Sequence, residues 1–450
     1  MSEVFHKYDV RGRYPEDLDD VTAYRLAGAI TMYFSIDKVV IGRDYRMSSP
    51  SLFENIVRGF NDAGVSVTYI GETATPVLYR ECILGEFPVG VMITASHNPK
   101  EDNGFKICTP DGKLITKGKG LEKIEALVDD DEGKPGNSQP IYEFKDPLDS
   151  YVSHIGDMLT KIQTKFKVVI DTGNGVAGPI LHRLMEHYSG EVSKLFFEPD
   201  GNYPNHPANP LVEENLESLK RTVKEKDADV GFAFDGDGDR CIVIDEMGET
   251  INTDMLLCLI ARMEGKDHPG AKIYYDLRFS KVVREEIEKW GCKPKVSEVG
   301  NAVYKEKLAD KGGLLAAELS GHVMYAENHN IDDGFYLMVK VLTYMDRLQQ
   351  PLSEVIAPYK KYFQTPEINI KTKDPTRVID TIKDAYEGHE IEELDGITVY
   401  GEGWWFNIRK SNTEPLVRLR LEADEKGILD QIRHEVENYI HGLDIQGGSA

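Results

Sequence analysis

Residues 90–99 read GVMITASHNP, an apolar run that turns abruptly into a polar loop. A short unbroken apolar run bounded by turn residues is typical of a strand that is covered on both faces. Ser96 follows this strand, Pro99 ends regular structure, and Lys106 lies ten residues beyond the serine. The loop therefore offers a hydroxyl that can act as a nucleophile or phosphate carrier beside a cation. The simpler alternative is a loop serine that satisfies its own turn.

Size and charge limit the class of protein. The chain has 450 residues, of which 29% are charged and 40% hydrophobic, with a formal net charge of -24. At about 100 to 200 residues per domain, this length predicts three or four domains. The acidic balance argues against nucleic-acid binding. If the substrate is an anion, the cations that bind it must be concentrated locally.

The cysteines and the N-terminus indicate the compartment. The five cysteines are an odd number without a close pair at metal or redox spacing, which argues against a disulfide framework or a zinc site. The N-terminus lacks an apolar signal segment, and no run approaches the ~18 apolar residues of a membrane span. We therefore predict a cytoplasmic protein with no membrane partner.

Three segments of the chain share one order of elements. They begin with KVVIGRD at 38–44, KVVIDTG at 167–173 and KIYYDLR at 272–278. Each continues into a helix-like stretch, such as 51–61 or 281–289, and then into two more strands. The second strands lie at 66–70, 194–197 and 295–298, and the third at 90–93, 230–234 and 314–317. Strands that alternate with helices predict α/β units with largely parallel pairing.

An unusual polar loop follows the third strand of every segment. These loops are residues 94–97, 235–240 and 318–322. Because ligands bind at the carboxyl ends of strands in such sheets, the three loops are expected to face one central active-site cleft. After residue 362 the pattern changes to strand, helix, three close strands and a closing helix, which is α+β. We predict three related α/β domains, 1–146, 147–249 and 250–361, and a distinct C-terminal α+β domain, 362–450.

The acidic loop, residues 235–240, reads DGDGDR. Its glycines allow a tight turn that brings three carboxylates together. Such close like charges favour a hard cation, and oxygen ligands suit Mg²⁺. A calcium loop is the competing interpretation, since Glu246 holds the twelfth position, but Arg240 stands at the sixth position, where that loop requires glycine. A merely solvated acidic turn is the simplest alternative.

A glycine-rich turn offers a different function. Residues 173–178 read GNGVAG, follow a strand and precede a helix pattern, so they match the dinucleotide fingerprint. The corresponding turns of the other two segments lack the glycines, which favours a tight strand-to-helix turn. The nucleotide interpretation stays as the runner-up, with Glu191 or Glu198 as the acid that binds the ribose.

Three further motifs carry polar groups suited to a sugar phosphate. Residues 409–415, RKSNTEP, offer an arginine, two hydroxyls and an amide in one turn, which can cradle a phosphate or simply cap a hairpin. Residues 8–12, YDVRG, form a weaker site of the same kind. Glu318 and Ser320 can bind sugar hydroxyls, and His322 titrates near neutrality.

Together these motifs resemble the α-D-phosphohexomutase superfamily, most closely its phosphomannomutase/phosphoglucomutase branch, over essentially the whole chain. The resemblance implies that Ser96 carries the phosphoryl group and that its phosphate joins Asp235, Asp237 and Asp239 as metal ligands. It implies that residues 318–322 set sugar specificity. It assigns a phosphate-binding role to Arg409, Ser411, Asn412 and Thr413. It assigns catalytic roles to Arg11, Lys106, Arg240 and His322, and substrate contacts to Tyr8, Arg278, Asn301, Glu318, Ser320 and His322.

The expected activity is a reversible isomerisation that moves phosphate between the 1- and 6-positions of mannose or glucose phosphate. It would proceed through a phosphoserine and a hexose 1,6-bisphosphate, with Mg²⁺ as cofactor, the bisphosphate as activator, and Lys106 or His322 as acid and base. Leu319 stands where hexose mutases usually have methionine and glucosamine mutases glutamine, which favours a plain hexose. Asn301 stands where some relatives have histidine, and Arg278 where some have lysine. The partners would be small sugar phosphates, and no oligomeric state is assigned.

Three alternatives remain at this point. They are a phosphoglucosamine mutase of the same superfamily, a nucleotide-dependent oxidoreductase, and a non-catalytic sugar-phosphate sensor.

Overall fold

The computed structural model describes residues 4–411 and 415–446. The described residues form two compact units. The first holds residues 4–253 and 300–355, and the second holds residues 254–299 together with the described residues from 356 onward.

The first unit begins with a six-stranded sheet and its helices. In chain order these are β1 (Val10–Arg13), α1 (Asp20–Phe34), β2 (Lys38–Arg43), α2 (Ser49–Asp62), β3 (Ser66–Glu72), α3 (Thr75–Leu84), β4 (Gly90–Ile93), β5 (Asp102–Cys108), α4 (Leu121–Asp130) and β6 (Glu143–Phe144). The strand order is β1-β5-β4-β2-β3-β6. Strands β4, β2, β3 and β6 run parallel, whereas β5 pairs antiparallel with both β4 and β1.

The centre of strand β2, residues 39–42, is apolar without interruption because both of its faces are covered. Val39 and Ile41 belong to the core that contains α1, α2 and α4. Val40, between them, points to the opposite face, where its core contains α3. Since successive strand side chains alternate between faces, burial on both sides removes the alternation of polar residues.

The second sheet of this unit has five strands. Its elements are α5 (Leu148–Leu159), β7 (Lys167–Asp171), α6 (Ala177–Leu184), β8 (Glu191–Leu195), α7 (Glu217–Glu225), β9 (Val230–Phe234), β10 (Cys241–Asp245) and β11 (Thr250–Ile251). The order is β11-β10-β9-β7-β8, parallel from β9 to β8 and antiparallel from β9 to β11. A Cβ on Gly178 would lie 1.8 Å from the carbonyl oxygen of Phe197, so this glycine permits close helix packing.

The following segment contributes to both units. Its elements are α8 (Thr253–Glu264), β12 (Lys272–Asp276), α9 (Lys281–Lys289), β13 (Lys293–Ser297), α10 (Asn301–Lys311), β14 (Leu315–Ala317), β15 (Val323–Tyr325), α11 (Gly334–Leu348) and α12 (Leu352–Ile356). In the second unit β12 and β13 pair parallel. In the first unit β14 and β15 form an antiparallel hairpin.

The rest of the second unit is an antiparallel sheet with two helices. Its elements are β16 (Phe363–Gln364), β17 (Ile368–Lys371), α13 (Pro375–Ala385), β18 (Glu390–Glu392), β19 (Ile397–Gly401), β20 (Trp404–Lys410), β21 (Leu416–Ala423) and α14 (Lys426–Gln446). The order is β16-β21-β20-β19-β18, and β17 also pairs with β21. One apolar core joins this sheet to α13 and α14. Short 3₁₀ turns elsewhere span Met185–His187, Glu213–Leu216, Gly265–Asp267, Ala326–Asn328 and Ala357–Tyr359.

The predicted α/β class is confirmed, with three differences in detail. Each of the first two sheets is parallel on one side and antiparallel on the other, because the strand after each third strand turns back through a short loop and pairs antiparallel. The strand predicted at 194–197 is β8, which begins at Glu191 and alternates too weakly to be bounded from sequence. The C-terminal sheet has two additional short edge strands, β16 and β18. Among the described residues, the helices include none that combines the length and hydropathy needed to cross a membrane.

Candidate active site

Ser96 lies at the carboxyl end of β4, as the sequence predicts, and is 1% exposed. Its φ of 51° places it in the left-handed region, where a residue with a side chain is strained. The backbone N–H of Ser96 donates to Oγ1 of Thr94 at 2.8 Å, and its side chain donates to Oδ2 of Asp235 at 2.9 Å. The hydroxyl therefore faces the acidic loop, and Nδ1 of His97 lies 3.2 Å from it.

Arg46 holds the serine loop, residues 94–99, from behind. Its side chain is buried and forms an ion pair with Asp44 at 3.2 Å. Its two terminal nitrogens donate, at 2.6 to 2.9 Å, to the carbonyl oxygens of Ser96, Asn98, Pro99 and Asp102. A guanidinium group can make this many contacts because its donors are fixed in a planar fork. Arg46 therefore determines the shape of the loop.

The acidic loop follows β9 and packs directly against the serine loop. A Cβ on Gly236 would lie 2.4 Å from the carbonyl oxygen of Ser96, so only glycine permits this approach. Asp235, Asp237 and Asp239 are buried, and each offers an oxygen within 4.8 Å of the others. Oδ1 of Asp237 accepts no hydrogen bond from any described residue. A buried, unsatisfied carboxylate oxygen in an all-oxygen cluster fits a hard divalent cation.

Lys106 and Thr75 contact the same carboxylates. Nζ of Lys106, on β5, donates at 2.6 Å to Oδ2 of Asp237 and to Oδ2 of Asp239. Oγ1 of Thr75, at the start of α3, donates to Oδ2 of Asp237 at 2.5 Å. The predicted cation therefore lies beside the predicted metal ligands, although more than a hundred residues separate them in the chain.

The electrostatics of this cluster follow from burial. Burial raises the pKa of Asp235 well above its ordinary value, and the carboxylates of Asp239 and Asp237 raise it further. Burial lowers the pKa of Lys106, but Asp237 and Asp239 raise it more, so it lies above its ordinary value. Arg240 lies 3.6 Å from Asp235 and 3.7 Å from Asp239. A bound cation would relieve the repulsion among these three carboxylates.

The loop of the β14–β15 hairpin brings three predicted residues into one hydrogen-bonded group. Oγ of Ser320 donates to Oε2 of Glu318 at 2.8 Å, and Nδ1 of His322 lies 2.9 Å from the same oxygen. Nε2 of His322 lies 3.4 Å from Asp239, so the group adjoins the acidic loop. Burial lowers the pKa of His322, but the carboxylates of Asp239 and Glu318 raise it more, to about 9.

The remaining predicted residues of the first unit lie around the serine loop and the hairpin. Arg11 donates to Oδ1 of Asn98 at 2.8 Å and pairs with Asp9 at 2.5 Å. Asn301 begins α10 and donates to Oδ2 of Asp332 at 3.1 Å. Tyr8 packs against Gly300, the residue before Asn301. A Cβ on Gly300 would lie only 2.4 Å from the hydroxyl oxygen of Tyr8. The structure thus brings all the predicted residues of this unit together.

The second unit holds the predicted phosphate contacts. Arg278 lies in the turn after β12, and Arg409 lies near the end of β20. Both donate to Oε2 of Glu367, at 2.8 and 3.0 Å respectively. Ser411 follows β20, and its N–H donates to the carbonyl of Leu416 at 3.0 Å. The predicted site residues Asn412 and Thr413 lie outside the described residues.

Sequence reasoning missed Arg46, Thr75 and Glu367. The sequence does contain a signal for Arg46. It follows the first strand of the first repeated segment, at the position that the glycine-rich turn occupies in the second segment. Thr75 and Glu367 have no comparable local signal, because their importance comes from partners far along the chain.

Comparison with known proteins identifies the family. Four phosphoglucomutase/phosphomannomutase family models match this chain. Those for the alpha/beta/alpha domains I, II and III match residues 2–134, 149–248 and 252–362, and the model for the C-terminal domain matches residues 367–438. The phosphomannomutase/phosphoglucomutase of Pseudomonas putida is 37% identical over 441 residues, which cover 96% of this chain and 94% of that protein. The chain belongs to the phosphoglucomutase/phosphomannomutase family. The resemblance found in the motifs is therefore confirmed, and so is the four-domain architecture.

Two further relatives agree with this membership. The phosphomannomutase of Methanocaldococcus jannaschii is 33% identical over 447 residues, covering 98% of each chain. The crystal structure of a phosphoglucomutase/phosphomannomutase family protein from Burkholderia thailandensis superposes with a TM-score of 0.89 at 32% identity, covering 98% of both chains.

Proposed function

We propose that this protein is a phosphohexomutase, an isomerase that moves a phosphoryl group between the 1- and 6-positions of mannose and glucose phosphates. The observation that carries the proposal is the 2.9 Å hydrogen bond from the buried Ser96 hydroxyl to Asp235. It joins a hydroxyl that could carry a phosphoryl group to a loop that could hold a cation, and the names of the relatives, phosphomannomutase/phosphoglucomutase and phosphomannomutase, agree with a hexose phosphate mutase.

The proposed reaction has two related transfers. Ser96 starts as a phosphoserine, and the free hydroxyl of the bound hexose phosphate attacks its phosphorus. The bond from phosphorus to Oγ of Ser96 breaks, the bond to the sugar oxygen forms, and the hydroxyl proton passes to a base. The resulting 1,6-bisphosphate turns around and returns its other phosphoryl group to Ser96. The proton goes back to the new sugar hydroxyl.

Positioning and charge supply most of the catalysis in phosphoryl transfer. Asp235, Asp237 and Asp239, with the phosphate on Ser96, are proposed to hold Mg²⁺. When bound, this ion would neutralise charge on the transferring group. Lys106 and Arg240 are proposed to stabilise the same charge, since both lie against the acidic loop.

Lys106 and His322 are the proposed proton carriers, one for each orientation of the sugar. Both are buried and both contact the carboxylate of Asp239. Arg11 is proposed to assist beside the serine loop, where it contacts Asn98.

Sugar recognition is assigned to the hairpin loop and its neighbours. Glu318 and Ser320 are proposed to bind the ring hydroxyls, with Tyr8 and Asn301 as further substrate contacts. Arg278, Arg409, Ser411, Asn412 and Thr413 are proposed to bind the phosphate that does not react. We further propose that a hexose 1,6-bisphosphate is the activator and that the protein is cytoplasmic. The proposed domain limits are 1–146, 147–249, 250–361 and 362–450.

Two measurements test this function. Coupled assays with glucose 1-phosphate, mannose 1-phosphate and glucosamine 1-phosphate, primed by a hexose 1,6-bisphosphate, are expected to show turnover of the first two. Intact-protein mass spectrometry after incubation with the bisphosphate is expected to show one added phosphoryl group in the wild type and none in Ser96→Ala. Ser138→Ala, in an exposed loop, serves as the control. Equal phosphorylation of Ser96→Ala, or glucosamine phosphate as the best substrate, would contradict the proposal.

A further inference from the structure

One carboxylate of the second unit contacts three arginines. Glu367 directly precedes β17, and its Oε2 accepts hydrogen bonds from Arg278 at 2.8 Å and from Arg409 at 3.0 Å. Its Oε1 accepts from Arg418 at 3.3 Å. We call Arg278, Arg409 and Arg418 the arginine cluster.

The sheet forces two members of this cluster together. Arg409 on β20 and Arg418 on β21 are direct partners in the antiparallel register, so their side chains leave the same face side by side. Like charges that lie opposite each other on adjacent strands repel. Glu367 contacts both guanidinium groups and offsets this repulsion.

The third arginine arrives from a different element. Arg278 follows β12, and its Nε and Nη2 bind the carboxylate of Asp276 at 2.8 and 2.5 Å. Its Nη1 reaches Glu367. Glu367 is therefore the group that links the turn after β12 to the end of β20.

The cluster keeps capacity for an anion. Glu367 contacts all three guanidinium groups with a single negative charge. Arg409 is 3% exposed, and its Nε has no acceptor among the described residues. A buried donor without a partner is costly, and a phosphate oxygen would satisfy it.

We propose that Glu367 is a positioning residue that presets Arg278 and Arg409 for the non-reacting phosphate of the hexose phosphate. This inference rests on the proposed function, in which these two arginines bind that phosphate. Because Glu367 contacts the arginines that are proposed to bind the non-reacting phosphate, its proposed contribution lies in substrate binding. A neutral side chain in its place would leave the guanidinium groups free to move apart before the substrate arrives.

The test separates KM from kcat in matched variants. Glu367→Gln is expected to raise KM for glucose 1-phosphate and mannose 1-phosphate by about tenfold, with kcat changed by less than about threefold, because the lost charge-assisted hydrogen bonds hold the two arginines in the geometry that binds the phosphate. Glu367→Asp, which keeps the charge, is expected to recover part of this loss. Glu393→Gln, which breaks an exposed pair with Lys383 in the same unit, is expected to leave both parameters unchanged.

Arg409→Gln distinguishes the two levels of the proposal. The role of Glu367 is overturned, and the phosphate site stands, if Arg409→Gln raises KM and Glu367→Gln does not. The same conclusion follows if Glu367→Gln lowers KM, or if it lowers kcat and leaves KM unchanged. If Arg409→Gln leaves KM unchanged, both are overturned. Circular dichroism checks that each variant folds, and if Glu367→Gln does not fold, KM of Glu367→Asp relative to wild type decides the question.

Discussion

The hydroxyl of Ser96 donates a hydrogen bond of 2.9 Å to Oδ2 of Asp235, although 139 positions separate the two residues in the chain. Each residue follows the third strand of its repeated segment, β4 or β9. The contact is possible because the carboxyl ends of the two sheets meet within the first unit and because Gly236 has no side chain to keep the loops apart. The proposed phosphate carrier and the proposed cation site thus share one hydrogen bond.

Arg46 is expected to be essential for the shape of the serine loop. Arg46→Lys removes a planar fork that donates to four carbonyl oxygens, and a lysine ammonium cannot satisfy all of them. We expect kcat/KM to fall about tenfold or more and the free energy of unfolding to fall by roughly 1 to 3 kcal/mol. Assays and urea unfolding measure the two effects. Arg183→Lys, whose side chain is 45% exposed, is the control, and equal behaviour of the two variants would refute this role.

Asp237 is expected to control the metal requirement. Activity should disappear with a chelator and return with Mg²⁺. Asp237→Asn should raise the Mg²⁺ concentration for half-maximal activity about tenfold or more, since it removes one of three charges that attract the cation. Calorimetric titration with Mg²⁺ measures the same loss directly. Asp149→Asn, at a side chain that is 96% exposed, should change neither quantity. Full activity in excess chelator would show that the acidic loop holds no essential metal.

Glu318 is expected to bind hydroxyls that glucose and mannose share. Glu318→Ala should reduce activity with both hexose phosphates by about tenfold or more, in parallel, because a lost buried hydrogen bond costs about 1 to 3 kcal/mol. Glu318→Gln keeps the side-chain shape and is the milder comparison, since Ser320 and His322 both contact this carboxylate. Selective loss of one epimer would place Glu318 near C2, where the two sugars differ, and would contradict the prediction.

Glu367 is expected to make the free energy of unfolding depend on pH in the acidic range. Burial raises the pKa of Glu367, but Arg278 and Arg409 lower it more, to about 2 from an ordinary value of 4.5. A depressed pKa in the folded state stabilises the fold above the unfolded-state pKa, by about 3 kcal/mol here. This contribution is lost as the pH falls from 4.5 toward 2.

The difference in free energy of unfolding between wild type and Glu367→Gln should therefore shrink as the pH is lowered through this range. Denaturant titrations at a series of pH values measure it, and other carboxylates cancel because both proteins contain them. A difference that stays constant with pH would show that the Glu367 charge contributes no stability.

Local chemistry made much of the fold predictable. An apolar run such as β2 or β4 is a strand because burial on both faces requires an uninterrupted hydrophobic sequence. Helix α9 was bounded correctly at Lys281–Lys289 because its apolar side chains recur with helical spacing. Strand β8 was misplaced, since its residues alternate weakly between charged and apolar types.

The candidate site divides in the same way. The sequence alone determined which residue types follow which strands: a hydroxyl at Ser96, three carboxylates between glycines, and an arginine before the last loop at Arg409. These follow from composition and spacing along a few residues. The side of the sheet on which they lie follows from strand direction.

Tertiary structure alone decided the pairings. Lys106 binds two of the three aspartates, Arg46 binds the carbonyls of the serine loop, and Glu367 contacts three arginines. Each of these pairings joins segments that lie far apart in the chain. Each pairing requires burial, because in water such charges attract one another only weakly. Burial is set by the packing of whole sheets and helices, which local sequence patterns do not encode.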